Sequence, residues 1–188
     1  MSAEYKALVD KVDAFVASTA ARRSDALRCQ KGCEACCHAF LSVGPVEASV
    51  VRTGLRGLSP DTRARVRDRG VQAREREQAG AGDPRCALLE DDGSCAIYAH
   101  RPLVCRSQGH ALRYPEGFVP EQAVRLRTKT GAVTWCPLNY TEQGPRSEDV
   151  LDAERVDQIL ALVTRRQVSE PEDALVRTGL SDLAAEGE

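Results

Sequence analysis

The chain has 188 residues, 42% of them hydrophobic and only 4% aromatic, with a formal net charge of −2. A charge this small gives no global pull toward nucleic acid or a membrane surface, and no run approaches the roughly 20 apolar residues that a membrane helix needs. The length fits a single domain, expected over residues 1–168 and built mainly on Ala, Val and Leu, followed by an acidic, loosely ordered tail over 169–188.

The first element is an amphipathic helix from Ser2 to about Ala21. Tyr5, Leu8, Val9, Val12, Phe15 and Val16 recur on one face, Ser2 is a candidate N-cap, and Arg22 and Arg23 suit the last turn. The stretch Cys29–His38 follows and packs four of the eight cysteines, Cys29, Cys33, Cys36 and Cys37, into nine positions. A short strand is expected at Phe40–Val43. Gly44–Pro45 then opens a helix from Val46 to about Leu58, with Pro45 at its first position. Ser59 is a candidate N-cap for a polar, arginine-rich helix from Asp61 to about Ala79, read as a solvated face laced by charge pairs rather than as a nucleic-acid contact.

Gly80–Pro84 breaks the helices. Cys86–Leu89 and Ser94–Tyr98, joined through Asp92–Gly93, read as a β-hairpin that brings Cys86 and Cys95 together. Pro102 opens a short helical turn carrying Cys105, and Val133–Leu138 carries Cys136. A final amphipathic helix is expected from Asp149 to about Arg166, with Val150, Leu151, Val156, Ile159, Leu160 and Val163 inward. The pentapeptide Val–Arg–Thr–Gly–Leu occurs at 51–55 and at 176–180, without a wider match that would make it a repeat. The fold class expected is mainly α with a small β-hairpin: a cysteine-rich metal-binding domain packed by amphipathic helices.

Charge is unevenly placed. From Arg101 to Lys129 six basic residues face two acidic ones, whereas from Thr141 onward twelve acidic residues face five arginines. Self-complementarity with a solvated tail accounts for this; a basic patch beside the cysteines that receives an anion is the sharper reading.

Thiolates packed as closely as those of 29–37 repel one another unless a cation sits among them or they pair as disulfides. Zinc and iron–sulfur clusters both take several Cys sulfurs at short, fixed distances. If helical, positions 29, 33, 36 and 37 lie on one stripe; Gly32 favours a tight loop instead, and either geometry converges the thiols. The adjacent pair Cys36–Cys37 would point to opposite faces of an extended segment, which gives one of the two a separate role. Disulfides and inert core cysteines are the alternatives. The start Met1–Ser2–Ala3–Glu4–Tyr5–Lys6 has no apolar signal core, so a reducing, cytoplasmic setting is expected, where clustered Cys points to metal.

The downstream pattern Cys86…Gly93–x–Cys95–x–Ile97–Tyr98–x–x–Arg101–Pro102–x–x–Cys105–Arg106, following a cluster that ends Cys36–Cys37 and closed by Cys136, resembles the YkgJ-like cysteine-cluster family, also described as the zinc- or iron-chelating CxxCxxCC family. The likeness covers about residues 29–137. One departure is the first spacing, Cys–x3–Cys rather than Cys–x2–Cys, so that Cys29 matches the pattern less closely than Cys33, Cys36 and Cys37. The resemblance implies metal chelation, with Cys29, Cys33, Cys36, Cys37, Cys86, Cys95, Cys105 and Cys136 as candidate ligands and an iron–sulfur cluster or zinc as cofactor. Flagellin lysine methylases carry a similar domain, but no glycine-rich strand–turn–helix unit for a nucleotide-like methyl donor is present here. An enzyme using the metal centre for protein or small-molecule modification, with His38, His110, Tyr98, Arg101 and Arg106 as candidate participants, and a zinc-stapled binding module are the alternatives to a metal-chelating protein with a redox role. No Ser/His/Asp set, Walker loop or catalytic carboxylate pair can be located. The partner expected is a metal ion, not a membrane or a nucleic acid.

Overall fold

The apolar spacing of the first twenty residues becomes helix α1, Ala3–Arg22, which buries Tyr5, Leu8, Val9 and Val12. The expected cap is present, with the Tyr5 backbone N–H donating to Ser2 Oγ at 3.3 Å. The computed structural model describes residues 1–80, 82–115, 128–130 and 132–186, with only the backbone described at 128–130. Its chain divides into two compact units, Ser2–Gln30 with Leu103–Val163, and Lys31–Pro102 with Thr164–Glu188 (and Met1). Each is described by itself below.

In the unit that contains α1, the described elements continue with α2, Leu103–Ser107, the short turn opened by Pro102. Strands β1 (Ala111–Arg113), β2 (Thr128–Thr130), β3 (Val133–Trp135) and β4 (Val150–Asp152) form one sheet in the order β2-β3-β1-β4. Leu112 pairs antiparallel with Thr134 and parallel with Leu151. The last expected helix therefore starts later than its apolar pattern suggests. Val150–Asp152 is taken up as an edge strand, and α3 runs from Ala153 to Arg165. Ala111, Trp135 and Tyr140 form the local core, with the Trp135 and Tyr140 rings edge to face at 6.5 Å. Arg23 and Asp149 are buried and paired at 2.6 Å, and the Arg23 guanidinium also lies over the Tyr140 ring.

The other unit is built on α4 (Pro45–Arg56) and α5 (Pro60–Gln78), with Pro at the start of both and the Ser59 hydroxyl capping α5. Val46, Val50, Val51 and Leu55 of α4 and Val66 and Ala73 of α5 are buried. The acidic C-terminal stretch is not a loose tail over its described length. Thr178–Gly179 (β6) pairs antiparallel with Ser42–Val43 (β5), and Leu180–Glu186 (α6) packs on α5 with Leu180, Leu183 and Ala184 buried. Three apolar side chains in seven residues suffice to dock it. Ser181 Oγ donates to Glu77 at 2.9 Å, and Arg52 holds Glu186 through two hydrogen bonds. Among the described residues, no helix is long and apolar enough to cross a membrane.

Candidate metal centre

Residues 31–37 form a loop rather than a helix, with one turn at Lys31–Gly32 and another at Ala35–Cys36. Gly32 has a left-handed φ of 89°, and the Cys37 N–H donates to the Glu34 carbonyl at 2.7 Å. That second turn removes the extended geometry in which neighbouring side chains diverge, and it leaves the Cys36 thiol under the influence of the Cys37 side chain.

The Cys86–Tyr98 segment docks on this loop. The Cys86 N–H donates to the Cys37 carbonyl at 2.8 Å, and His38 and Arg85 form an isolated bridge. At the other end, Gly93 abuts Gly32 so closely that a Cβ on Gly93 would lie 2.7 Å from the Gly32 carbonyl oxygen. The expected hairpin is only partly formed. Glu90 N–H to Ser94 O and Ala96 N–H to Leu88 O close it around the Asp92–Gly93 turn, but Leu89 and Cys95 make a single bridge in place of two regular strands. Part of the reason is that Arg69 of α5 takes the Ala87 carbonyl at 3.0 Å and the Glu90 carboxylate at 2.6 Å, drawing the segment toward the helix. The arginine-rich face of α5 is thus spent partly on bracing this loop.

The electrostatics follow from that packing. The Cys36 thiol is held far above the ordinary range, first by the adjacent Cys37 side chain, then by burial and by the charge Cys37 would carry, with Arg101 opposing. Burial pushes the Cys86 thiol up to about 11, the Leu88 N–H and Arg69 opposing and Cys95 and Cys36 adding to the rise. Burial also raises Cys95, against the Ile97 N–H and Arg101. Cys36, Cys86 and Cys95 are therefore each costly to ionise without a cation, and Cys86 senses the charge of both others. Arg101 is anchored beside them by its Nε–H to the Tyr98 carbonyl at 3.3 Å and by stacking on the Tyr98 ring at 3.7 Å.

Cys29, Cys105 and Cys136 belong to the other unit. Cys105 sits on α2, and Cys136 is buried at the end of β3. Cys29 is exposed as a residue, but its sulfur lies against Gly109 and accepts a hydrogen bond from Asn139 Nδ2 at 3.2 Å. Asn139 escapes sequence reasoning; the one available signal is an Asn placed in the turn that follows Cys136–Pro137.

A family model, CxxCxxCC, described as a putative zinc- or iron-chelating domain, matches residues 28–137, more than half of the chain. The chain belongs to the CxxCxxCC family. No curated protein and no solved structure matches it.

All eight cysteines fall inside the CxxCxxCC match. Among the described residues, no three Cys, His, Asp or Glu side chains stand together at metal-ligand spacing. The donor chemistry nevertheless fits a thiophilic metal: no disulfide joins any of the eight cysteines, and burial with neighbouring side chains penalises the thiolates of Cys36, Cys86 and Cys95, a cost that a cation relieves. The other candidate participants are tied into local structure. His38 Nδ1 is 2.8 Å from Asp83, Arg106 pairs with Asp13 at 2.6 Å, and His110 is buried. Of the basic patch between 101 and 129, Arg125 and Arg127, with Glu116 and Glu121, lie outside the described residues.

Proposed function

We propose that this CxxCxxCC protein chelates metal through its clustered cysteine thiolates, the candidate donors being Cys33, Cys36, Cys37, Cys86 and Cys95 within one unit and Cys29, Cys105 and Cys136 within the other, each set taken by itself. The observation that carries the proposal is the buried Cys86 thiol within charge reach of both Cys36 and Cys95, its backbone N–H held by the Cys37 carbonyl at 2.8 Å. Thiols so placed resist ionisation together, and a bound cation reverses that preference by stabilising every thiolate at once. We favour an iron–sulfur cluster over zinc, because a crowded Cys–Cys run departs from the paired C-x2-C knuckles of structural zinc. An iron–sulfur cluster would supply one-electron transfer and a redox role, whereas zinc would supply a cross-link between loops.

The chain's own residues act around the thiols. Arg101, stacked on Tyr98, supplies positive charge beside Cys36 and Cys95. The Cys86 N–H and the Gly32–Gly93 contact hold the two cysteine-bearing loops together. Purification without oxygen, with iron, zinc and acid-labile sulfide measured per chain beside the visible spectrum, tests the proposal. Iron with stoichiometric sulfide and a band near roughly 400 nm, where thiolate- and sulfide-to-iron charge transfer falls, is the expected result. Stoichiometric zinc alone would replace the cluster by a structural site. Neither metal, with few titratable thiols, would overturn metal chelation altogether.

A further inference from the structure

Asn139 is buried, and both ends of its carboxamide are fixed by backbone groups whose roles cannot be exchanged. The Arg28 N–H, which can only donate, is 2.8 Å from Oδ1, and the Gly109 carbonyl, which can only accept, is 2.6 Å from Nδ2. A flipped amide would set donor against donor and acceptor against acceptor, so the orientation follows from the surroundings. The amide nitrogen must then be what faces the Cys29 sulfur at 3.2 Å. The rest of the setting is built to match. The Asn139 N–H closes the turn onto the Cys136 carbonyl at 2.9 Å, and the Tyr140 N–H donates to the Ala26 carbonyl at 2.8 Å, pinning the chain just before Cys29. Gly109 leaves open the space that the sulfur uses, since a Cβ there would collide with Cys29 Sγ.

We infer that Asn139 is a positioning residue for Cys29, aiming its sulfur and donating an N–H to it so that Cys29 serves as a hydrogen-bonded thiolate ligand. The inference rests on the metal-chelating function proposed above. It assigns Cys29 to the ligand set on geometry, although the Cys–x3–Cys spacing makes it the cysteine that fits the family pattern least. An N–H donated to a ligating sulfur orients the ligand and lowers the energy of its lone pairs, which weakens electron donation to the metal and, in a cluster, shifts the potential.

The test uses the full chain loaded with Co(II) under anaerobic conditions, reading the thiolate-to-cobalt charge-transfer band and the affinity in competition with a chelator. Asn139→Leu removes the donor at similar size. Asn139→Asp keeps the acceptor for the Arg28 N–H and serves if the leucine variant does not fold. The expected result is a band moved to longer wavelength, because a sulfur that has lost this N–H donor gives up its electron more easily, with affinity lower by roughly 10-fold or more. Cys29→Ser should remove one thiolate's share of the band intensity. A residue that merely braced the fold would lower thermal stability and leave the band where it is. An unmoved band in the folded variant, or full intensity in Cys29→Ser, overturns the inference while metal chelation stands. No thiolate band in the unsubstituted protein overturns metal chelation and this inference with it.

Discussion

Replacing Gly93 by Ala should separate the two cysteine-bearing loops. Gly93 has a φ of 75°, a region that costs an L-residue roughly 1–2 kcal/mol. The added Cβ would also lie 2.7 Å from the Gly32 carbonyl oxygen and 3.0 Å from its Cα. These are backbone atoms in a loop held by the Lys31–Gly32 turn, so relief requires the loops to move apart, at a cost of roughly another 1–3 kcal/mol by analogy with overpacking. A total of about 3 kcal/mol is about two orders of magnitude in any equilibrium that needs the loops docked, and about 6–12 °C in melting temperature for a chain of this size. Gly80→Ala is the matched control, because Gly80 has a φ of 60° but nothing within 4 Å of an added Cβ. Thermal unfolding by circular dichroism and metal content after anaerobic purification should show a large loss for Gly93→Ala and only the backbone cost for Gly80→Ala. Equal effects from the two substitutions would refute the docking role of the Gly32–Gly93 contact.

Stability of the metal-free protein should fall as pH rises. Cys86 is raised to about 11 in the fold, so between the ordinary thiol range and 11 the unfolded chain releases a proton that the folded chain retains, and unfolding gains. Urea titrations of chelator-treated protein at pH 7 and pH 10 should show a lower midpoint at the higher pH, and metal-loaded protein should show a smaller drop. Asp149→Ala should cost about 3–5 kcal/mol by leaving the Arg23 guanidinium buried without its carboxylate partner; a urea midpoint close to that of the unsubstituted protein would contradict the pairing. Leu183→Ala should cost about 2–5 kcal/mol, since Leu183 is 1% exposed on α6, and limited proteolysis should then cut the C-terminal stretch first.

Several features were legible in the chain because their causes are local. The Ser2 and Ser59 caps, the Pro45 start and the apolar faces of α1 and α4 follow from neighbours within one or two helical turns. The CxxCxxCC pattern was legible for the same reason, since a run as dense as 29–37 is improbable as ordinary core whatever surrounds it. The partners of that run were not. The pull of Arg69 on the Cys86–Glu90 segment and the hold of Asn139 on Cys29 join residues 18 and 110 positions apart in their closest contacts, beyond the reach of any periodicity or turn rule.

The pentapeptide Val–Arg–Thr–Gly–Leu shows the boundary most plainly. At 51–55 it continues α4, with Val51 and Leu55 buried; at 176–180 the same five residues leave a turn, pair as β6 with β5 and begin α6. Local propensity is identical in the two copies and too weak to choose between them. By itself the sequence determined where thiols concentrate, which stretches are amphipathic and where helices begin, because those depend on composition and near-neighbour geometry. Only the tertiary structure decided that Val150–Asp152 is strand rather than helix, that the acidic end is docked rather than loose, and which backbone and side-chain donors reach each cysteine. Those outcomes depend on long-range burial and hydrogen-bond satisfaction, whose free energies exceed the small local preferences they override.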